Sequence, residues 1–418
     1  MIDLDSWQEV FATLRKNKLR TALTGLGVFL GIVILMAMVA FGRSLQAGVQ
    51  KEIAGFATNA VFVWGQRTSE PFAGLPANRP IEFNNGDVEA LRRVDGIEYL
   101  APRNQLGGFM RGSVAKYGGK SGSFQVMGDY PDVQHVDAPL MLAGRFIDDL
   151  DIAERRKVTV IGKGIVEQLF PEDRNPIGEY VEINGVYFQV IGVFGSRQSG
   201  ENGERKITTL HVPFSTFQQA FHMGDEVHWF AIVGRATESA ATIEDKVRDV
   251  LRKRHKIAPD DEEAIGSFNA GKQFGKMTAL FMVINFVMWT AGILTLAAGV
   301  IGVSNIMLIS VRERTKEIGV RKALGARPLT VVRMIVAEST VLTVIAGYLG
   351  LVAGVGLVQG WIAILPMLGD DVPFGVPDIN FTLALSAATV IAVFGIFAGV
   401  IPAYHAAKIE PVEALRTE

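Results

Sequence analysis

Few side chains in this sequence are spaced for bond-making chemistry. The six histidines are scattered, and none falls in H-E-x-x-H or a comparable metal spacing. His222 and His228 bracket Asp225 and Glu226, which amounts to no more than a chance metal site beside ordinary loop histidines. Gly118-Gly119-Lys120-Ser121 imitates the end of a phosphate-binding loop, but the leading glycine would fall where Val114 stands. With no cysteine there is no disulfide, no thiolate metal site and no Cys nucleophile. A net charge of −2 offers no general attraction to nucleic acid. The expectation is no catalytic residue, no metal and no cofactor bound by this chain. What stands out is charge patterning in residues 304–327, SNIMLISVRERTKEIGVRKALGAR, which follow one uncharged apolar run and precede another.

Such a segment takes its meaning from its flanks. A helix needs about 20 apolar residues to cross roughly 30 Å of hydrocarbon, and four stretches qualify: 21–42, 277–311, 334–361 and 381–404. With 49% hydrophobic and 20% charged residues and a mean hydropathy of +0.27, the chain is too apolar for an ordinary soluble protein and too polar to lie wholly in lipid. The expected fold class is a membrane protein of four transmembrane α-helices carrying one large extracytoplasmic α/β domain. Arg15, Lys16, Lys18 and Arg20 precede the first span. Arg312, Arg314, Lys316, Arg321, Lys322, Arg327 and Arg333 lie between the second and third, and Lys408 and Arg416 follow the fourth. Residues 362–380 contain no Lys or Arg and carry Asp370, Asp371 and Asp378. By the positive-inside rule, 1–20, 312–333 and 405–418 are cytoplasmic, while 43–276 and the short loop 362–380 are outside. The first apolar core is longer than that of a cleavable leader, so it reads as a retained span.

Two helices read as longer than the bilayer. After Gly42, residues Leu45, Val49, Ile53 and Phe56 keep an apolar stripe at helical spacing. A helix over 20–56 would be roughly 55 Å long at 1.5 Å per residue. The second span reads as starting outside, near Gly271, so both excess lengths form a stalk for the outer domain; tilt, or a break at Gly42 or Gly275, is the simpler alternative. Small-xxx-small pairs recur at Gly27/Gly31, Ala298/Gly302, Gly350/Gly354, Gly356/Gly360 and Gly395/Gly399, a spacing that brings helix backbones close within the bundle or a dimer. Glu338 is the sole acid inside a span. Its readings are an interfacial carboxylate, a partner for a loop arginine, or, least favoured, a proton carrier.

The outer region reads as mixed α/β. Strands are expected at 60–64, 158–161 and 229–233, and helices at 85–94 and 242–254. Residues 180–193 form a hairpin around Asn184-Gly185, flanked by alternating Val181/Ile183 and Val186/Phe188/Val190. A β–α pattern at both ends suggests one lobe (about 57–130 and 228–270) split by an insertion (about 131–227).

These motifs resemble the permease subunits of MacB/FtsX-type (type VII) ABC transporters, nearly end to end. The opening LRKNKLRTALTGLGVFLG (14–31), the elements GRFIDDLD, VTVIGKGIVEQLF and NPIGEYVEINGVYFQVIGVF within 144–194, residues 305–327, and PAYHAAKIEPVEALR (402–416) occur in the family's order. The resemblance implies two outer lobes, porter-like and sabre-like. It implies a homodimer or heterodimer in the bacterial cytoplasmic (inner) membrane with ABC ATP-binding subunits beneath it. ATP and Mg would sit on those partners, because no nucleotide-binding motif was found in this chain. A periplasmic adaptor and an outer-membrane channel are further implied partners of an export system. The size of the outer domain favours the MacB-like branch over cell-division members.

The resemblance also assigns residues. Arg312, Glu313, Arg314, Glu317, Ile318, Arg321, Lys322 and Leu324 match the family's coupling helix. Glu313/Glu317 and Glu317/Arg321 are i, i+4 neighbours on one helical face, Ile318, Leu324 and Ala323 offer an apolar contact for a groove on the ATPase, and Gly325 with Pro328 ends the helix. Resting on anionic lipid headgroups is the competing reading of this helix. The implied mechanism is mechanotransmission from ATPase to outer domain. Alternatives are an FtsX-like regulator of cell-wall hydrolases and a lipoprotein-releasing permease.

Overall fold

The computed structural model describes residues 18–52, 56–107, 112–198, 200–368, 372, 374–377 and 381–410. The chain divides into two compact units: residues 1–49 with 281–418, and residues 50–280.

The first unit is a helical bundle. Its helices are Lys18–Glu52, Ala270–Glu313, Pro328–Ile364 and Phe381–Lys408, and four candidate spans within them have mean hydropathies of 2.5, 2.1, 2.3 and 1.9. Lipid offers no hydrophobic gain for helix association, so contact depends on close packing. The six glycines Gly27, Gly31, Gly350, Gly354, Gly395 and Gly399 lie at such contacts. A Cβ on Gly27 would meet Gly299 Cα at 3.2 Å, and one on Gly31 would meet Leu296 Cα at 3.1 Å. Gly350 faces the Phe29 carbonyl and Gly354 faces Met36, while Gly395 faces Thr343 and Gly399 faces Ser339 and Val336. The first helix is thus pressed against the second and third, and the fourth against the third. Gly302, Gly356 and Gly360 meet nothing within 4 Å. At one end, Trp361 Nε1 donates to Ser44 Oγ (3.1 Å) and Ser44 Oγ donates to the Gly375 carbonyl (2.6 Å), which fixes part of the 362–380 loop to the first helix.

The first helix is shorter than its apolar stripe suggests. Its described length ends at Glu52, and Phe56 forms an antiparallel bridge with Asp137; Ile53 lies outside the described residues. Phe56 is spaced like a helical residue but takes an aromatic contact instead, with its ring 6.2 Å from that of Phe62. The second helix, with 44 residues, begins at Ala270.

Among the described residues the second unit has thirteen strands: β1 (Ala60–Gly65), β2 (Phe83–Asn84), β3 (Ile97–Leu106), β4 (Ser113–Tyr117), β5 (Lys120–Asp129), β6 (Leu140–Gly144), β7 (Val158–Gly162), β8 (Tyr180–Ile183), β9 (Val186–Gly195), β10 (Thr209–Pro213), β11 (Glu226–Val227), β12 (Trp229–Gly234) and β13 (Ile265–Asn269). An antiparallel run β3-β12-β1-β13 forms the first lobe. The helices Asn85–Leu91 and Ala240–Arg254 pack Val88, Leu91, Ile243, Val247 and Leu251 with Phe230 and Ile232 in its core. In the second lobe the pairings β5-β4-β8-β9-β7-β10 return to β5, closing a six-stranded barrel. Closure leaves no open edge among these six strands. Phe124, Val181, Phe188, Leu210 and Phe217 share its core.

The border between lobes differs from the expected one. Ala115, Phe124 and Val126 belong to the barrel core, and Val227 belongs to the first-lobe core. The β4–β5 hairpin therefore joins the insertion, which begins near residue 112 and not at 131. The cause is non-local: β5 pairs in parallel with β10, across a long sequence gap. The hairpin turn has Asn184 at φ 46° and Gly185 at φ 85°, the left-handed pair that a two-residue type I′ turn requires.

Candidate functional site: the hairpin between the second and third membrane helices

The second membrane helix does not stop where charge begins; it continues through Arg312 to Glu313. Arg314, at φ −102° and ψ 16°, interrupts it, and a separate helix follows at Thr315–Ala323. The Arg314 amide still donates to the Ser310 carbonyl (3.2 Å), and the Ile318 amide donates to the Arg314 carbonyl (3.0 Å), so the joint is a bend with its ladder largely kept. At the other end Gly325 takes φ +97°. Its amide donates to the Lys322 carbonyl (3.1 Å) and the Ala326 amide to the Arg321 carbonyl (3.0 Å), the paired bonds of a Schellman cap. Arg327 is extended, and Pro328 opens the third membrane helix, where a missing N–H costs nothing.

Three cations pin this short helix to the bundle. Arg314 Nη1 lies 3.5 Å from Glu338 Oε2, and Glu338 is buried with 6% of its surface exposed. Of the readings open for Glu338, the geometry is that of a partner for a loop arginine. Lys322 Nζ donates to the carbonyls of Ala407 (2.8 Å) and Ile409 (2.6 Å), placing a positive charge where the fourth helix ends. Arg321 pairs with Glu317 (3.0 Å) one turn away, and its Nη1 lies 3.0 Å from Met334 Sδ on the third helix.

The apolar face is divided differently from the expected contact. Ile318 is buried in the bundle core with Val311, Val331 and Ile335, so it anchors the helix and is not available to a groove elsewhere. Glu313 and Glu317 stand on different helices, because the bend at Arg314 separates them. Leu324, at 84% exposed, lies outward with exposed Ala323, and Val320, one turn before Leu324, is exposed too. Leu329 extends the apolar patch past the turn. Arg312, Lys316, Glu317 and Arg327 are exposed as well. The signal that could have found Val320 was its i, i+4 spacing to Leu324; Ile318, with the same chemistry, faces the opposite way. The result is a rigidly held, outward apolar ridge with charged residues beside it, suited to seating in a groove of another protein.

The α/β domain carries buried carboxylates of another kind. Burial pushes the Asp129 carboxyl up, but the Arg103 charge and a hydrogen bond with His211 Nδ1 (2.6 Å) outweigh it and hold the group below the usual range. Asp87 behaves alike: burial is outweighed by His255 (2.8 Å) and Arg254 (2.5 Å). Glu244 accepts from Ser267, Asn269 and Lys272, joining the helix Ala240–Arg254 to the first turn of Ala270–Glu313. None of these groups was singled out in the sequence. Among the described residues no group of three or more His, Asp or Glu is arranged for a metal ion. His228 Nδ1 instead accepts from the Gln105 amide (3.1 Å).

Helices of this length and apolarity, with a folded α/β domain inserted after the first, define a multi-pass membrane protein. Residues 21–250 match the model for the MacB-like periplasmic core domain, and residues 289–411 match that for the FtsX-like permease C-terminal domain. The chain belongs to the MacB/FtsX-type family of ABC transporter permeases, and residues 50–280 form its extracytoplasmic domain. It is 29% identical over 98% of its length to the macrolide export ATP-binding/permease protein MacB of Bdellovibrio bacteriovorus, covering 61% of that protein. It is likewise 29% identical over 99% of its length to the pyoverdine export ATP-binding/permease protein PvdT of Pseudomonas putida, covering 60%. The chain thus spans about 60% of the length of these relatives. The periplasmic region of MacB from Actinobacillus actinomycetemcomitans aligns with a TM-score of 0.43 at 18% identity, over 54% of this chain and 95% of that one.

Proposed function

We propose that this chain is the mechanotransmission permease of an ABC-type exporter, driven by an ATP-binding subunit on another polypeptide. In this reading the hairpin and both termini face the cytoplasm of a bacterial inner membrane, and the permease works as a dimer. Val320, Ala323, Leu324 and Leu329 seat in a groove of the ATPase, and the exposed charges around them set the register. ATP and Mg stay on that partner. Closure of the ATPase pair moves the hairpin, and the long helices Lys18–Glu52 and Ala270–Glu313 carry the motion to the extracytoplasmic domain. An adaptor and an outer-membrane channel would receive the cargo, and the relatives' names point to export of small molecules as its class.

The carrying observation is the double fixation of the helix Thr315–Ala323, by Lys322 on the fourth helix and by Arg314 on Glu338, with its apolar ridge left outward. A lipid-resting helix would gain little from such clamping, since headgroup contact needs no fixed orientation. The chain has no cysteine, so Leu324→Cys gives a single reactive site. In native membranes a thiol cross-linker at 324 is expected to capture a nucleotide-binding protein, and Glu317→Lys is expected to lower ATPase stimulation and export together. Cross-linking to lipid alone, or full transport by Glu317→Lys, would sink the reading.

A further inference from the structure

The second membrane helix keeps an exposed apolar surface further out than the helices beside it. Its contacts with the first helix run antiparallel and set a scale of depth: Gly27 faces Gly299, Gly31 faces Leu296, Gly292 faces Leu35 and Gly42 faces Met288. Gly42 closes the apolar run of the first helix, and Arg43 follows it. At that level Phe41, Trp361 and Phe374 gather, with ring centroids 5.1 to 6.2 Å apart, and tryptophan favours the membrane–water interface. Residues of the second helix just before Met288 therefore stand level with the outer interface or beyond it. Among them Met282, Val283 and Phe286 are 69%, 59% and 70% exposed. Acyl chains end below that level, so this apolar surface calls for a protein cover. Exposed residues of the third helix do not: Leu349 and Val352 neighbour Gly350 and Gly354, which face Phe29 and Met36 inside the span, where lipid meets them.

The spacing of the exposed face says what covers it. Val283, Val287, Thr290, Leu294, Ala297 and Ile301 follow one another at alternating steps of four and three residues. All are exposed except the half-buried Ala297. Such a 3.5-residue repeat is the seam of a left-handed pair of helices crossing at about 20°. The seam descends from the outer interface to the depth of Gly27. A soluble partner could cover only its upper end, whereas another membrane helix covers all of it. Residues 277–311 contain no charged side chain, so a second copy of this helix meets no like charge along the seam.

We propose that this seam is the dimer contact of the permease. Two copies lie parallel about a two-fold axis along the membrane normal, and each packs Val283, Val287, Leu294 and Ile301 against the same face of the other. The contact deepens the dimer of the proposed function and rests on that part of the reading alone.

Because the chain lacks cysteine, single-cysteine variants report on the seam directly. Val283→Cys, Val287→Cys and Leu294→Cys are oxidised in native membranes beside Leu349→Cys and Phe397→Cys, comparably exposed on the third and fourth helices. A disulfide requires Cα atoms about 4.4–6.8 Å apart, which places the two seams in contact. A product of about twice 45.4 kDa, containing this chain alone, is expected at least tenfold more at the three seam positions than at the two controls. Val287→Glu, with its side chain outward in the single chain, should keep the parent melting temperature and abolish the Val283→Cys product. No product at the seam, equal product at the controls, capture of a different protein, or a Val283→Cys product that survives Val287→Glu would overturn the proposal. Cross-linking at 283 needs no nucleotide-binding protein, so its success without capture at 324 would sink the coupling reading and leave this contact standing.

Discussion

In the α/β domain, Phe188, Phe194, Phe217 and Phe230 fill the interior, and the buried acids Asp87 and Asp129 each hold an arginine and a histidine. In the membrane bundle Gly27, Gly299, Gly350 and Gly399 lie at close contacts between helices, and the buried acid Glu338 meets Arg314. The two regions bury residues for different physical reasons. Water drives aromatic side chains inward at roughly 25 cal/mol per Å² of apolar surface, so a domain in water gains by burying large groups. Lipid gives no such return, and helices there gain by backbone proximity. Bulk is an asset in one region and an obstacle in the other.

The largest test of that contrast removes a carboxylate. Asp129→Ala leaves Arg103 and His211 without their shared partner, and breaking such a buried cluster costs about 3–5 kcal/mol. Thermal unfolding of the purified full-length protein should show the loss in the α/β domain, and a loss under 1 kcal/mol would mean the cluster is solvated in practice.

Acid should act on the same groups. The folded-state values of Asp87, Asp129, Asp151, Glu244 and Asp261 all lie below the ordinary carboxylate range, with burial outweighed by cationic partners or hydrogen bonds. A depressed value contributes stability fully present above the unfolded pKa, about 4, and lost as pH falls through the folded value. Melting temperature should therefore hold above pH 5 and fall steadily below pH 4. Asp129→Asn should flatten that acid limb, and an unchanged limb would remove Asp129 from the account.

Next in size is the glycine test. Gly399→Leu must displace Ser339 Oγ, which a bare Cβ would already meet at 2.2 Å, together with Val336 Cα at 2.9 Å. Overpacking of this kind costs about 1–3 kcal/mol. Gly356→Leu, with nothing within 4 Å, should be close to neutral. Equal sensitivity of the two in a detergent unfolding assay would break the proximity argument. Smallest is Lys322→Gln, which removes a cation from the end of the fourth helix and should cost about 0.3–1 kcal/mol. Its stability change is slight, so a large fall in ATPase stimulation would reveal a coupling role that the cap alone does not require.

How much was legible before folding varied with range along the chain. The four spans were, because a bilayer imposes length and apolarity on consecutive residues. So were the Asn184-Gly185 turn, with both residues left-handed, and the Gly325–Pro328 exit, where a cap and a helix start depend on neighbours in sequence. The glycine pairs were half legible: their spacing announces close contact, but Gly27 and Gly395 face partners while Gly356 and Gly360 face none, and spacing does not choose. Ile318 and Val320 show the same limit within one turn of helix. Both are apolar and β-branched, yet Val311, Val331 and Ile335 surround the first and leave the second outward.

Composition and local pattern thus settle what each segment can be: a membrane helix, a strand, a turn, an amphipathic connector. They do so because hydrogen bonding, φ preference and transfer from water act on residues adjacent in sequence. Only the assembled structure decides which strands close the barrel, since β10 must reach β5 across a long sequence gap. It alone brings Asp129 to Arg103 and His211. Those pairings depend on how distant segments settle against one another, which no local spacing encodes.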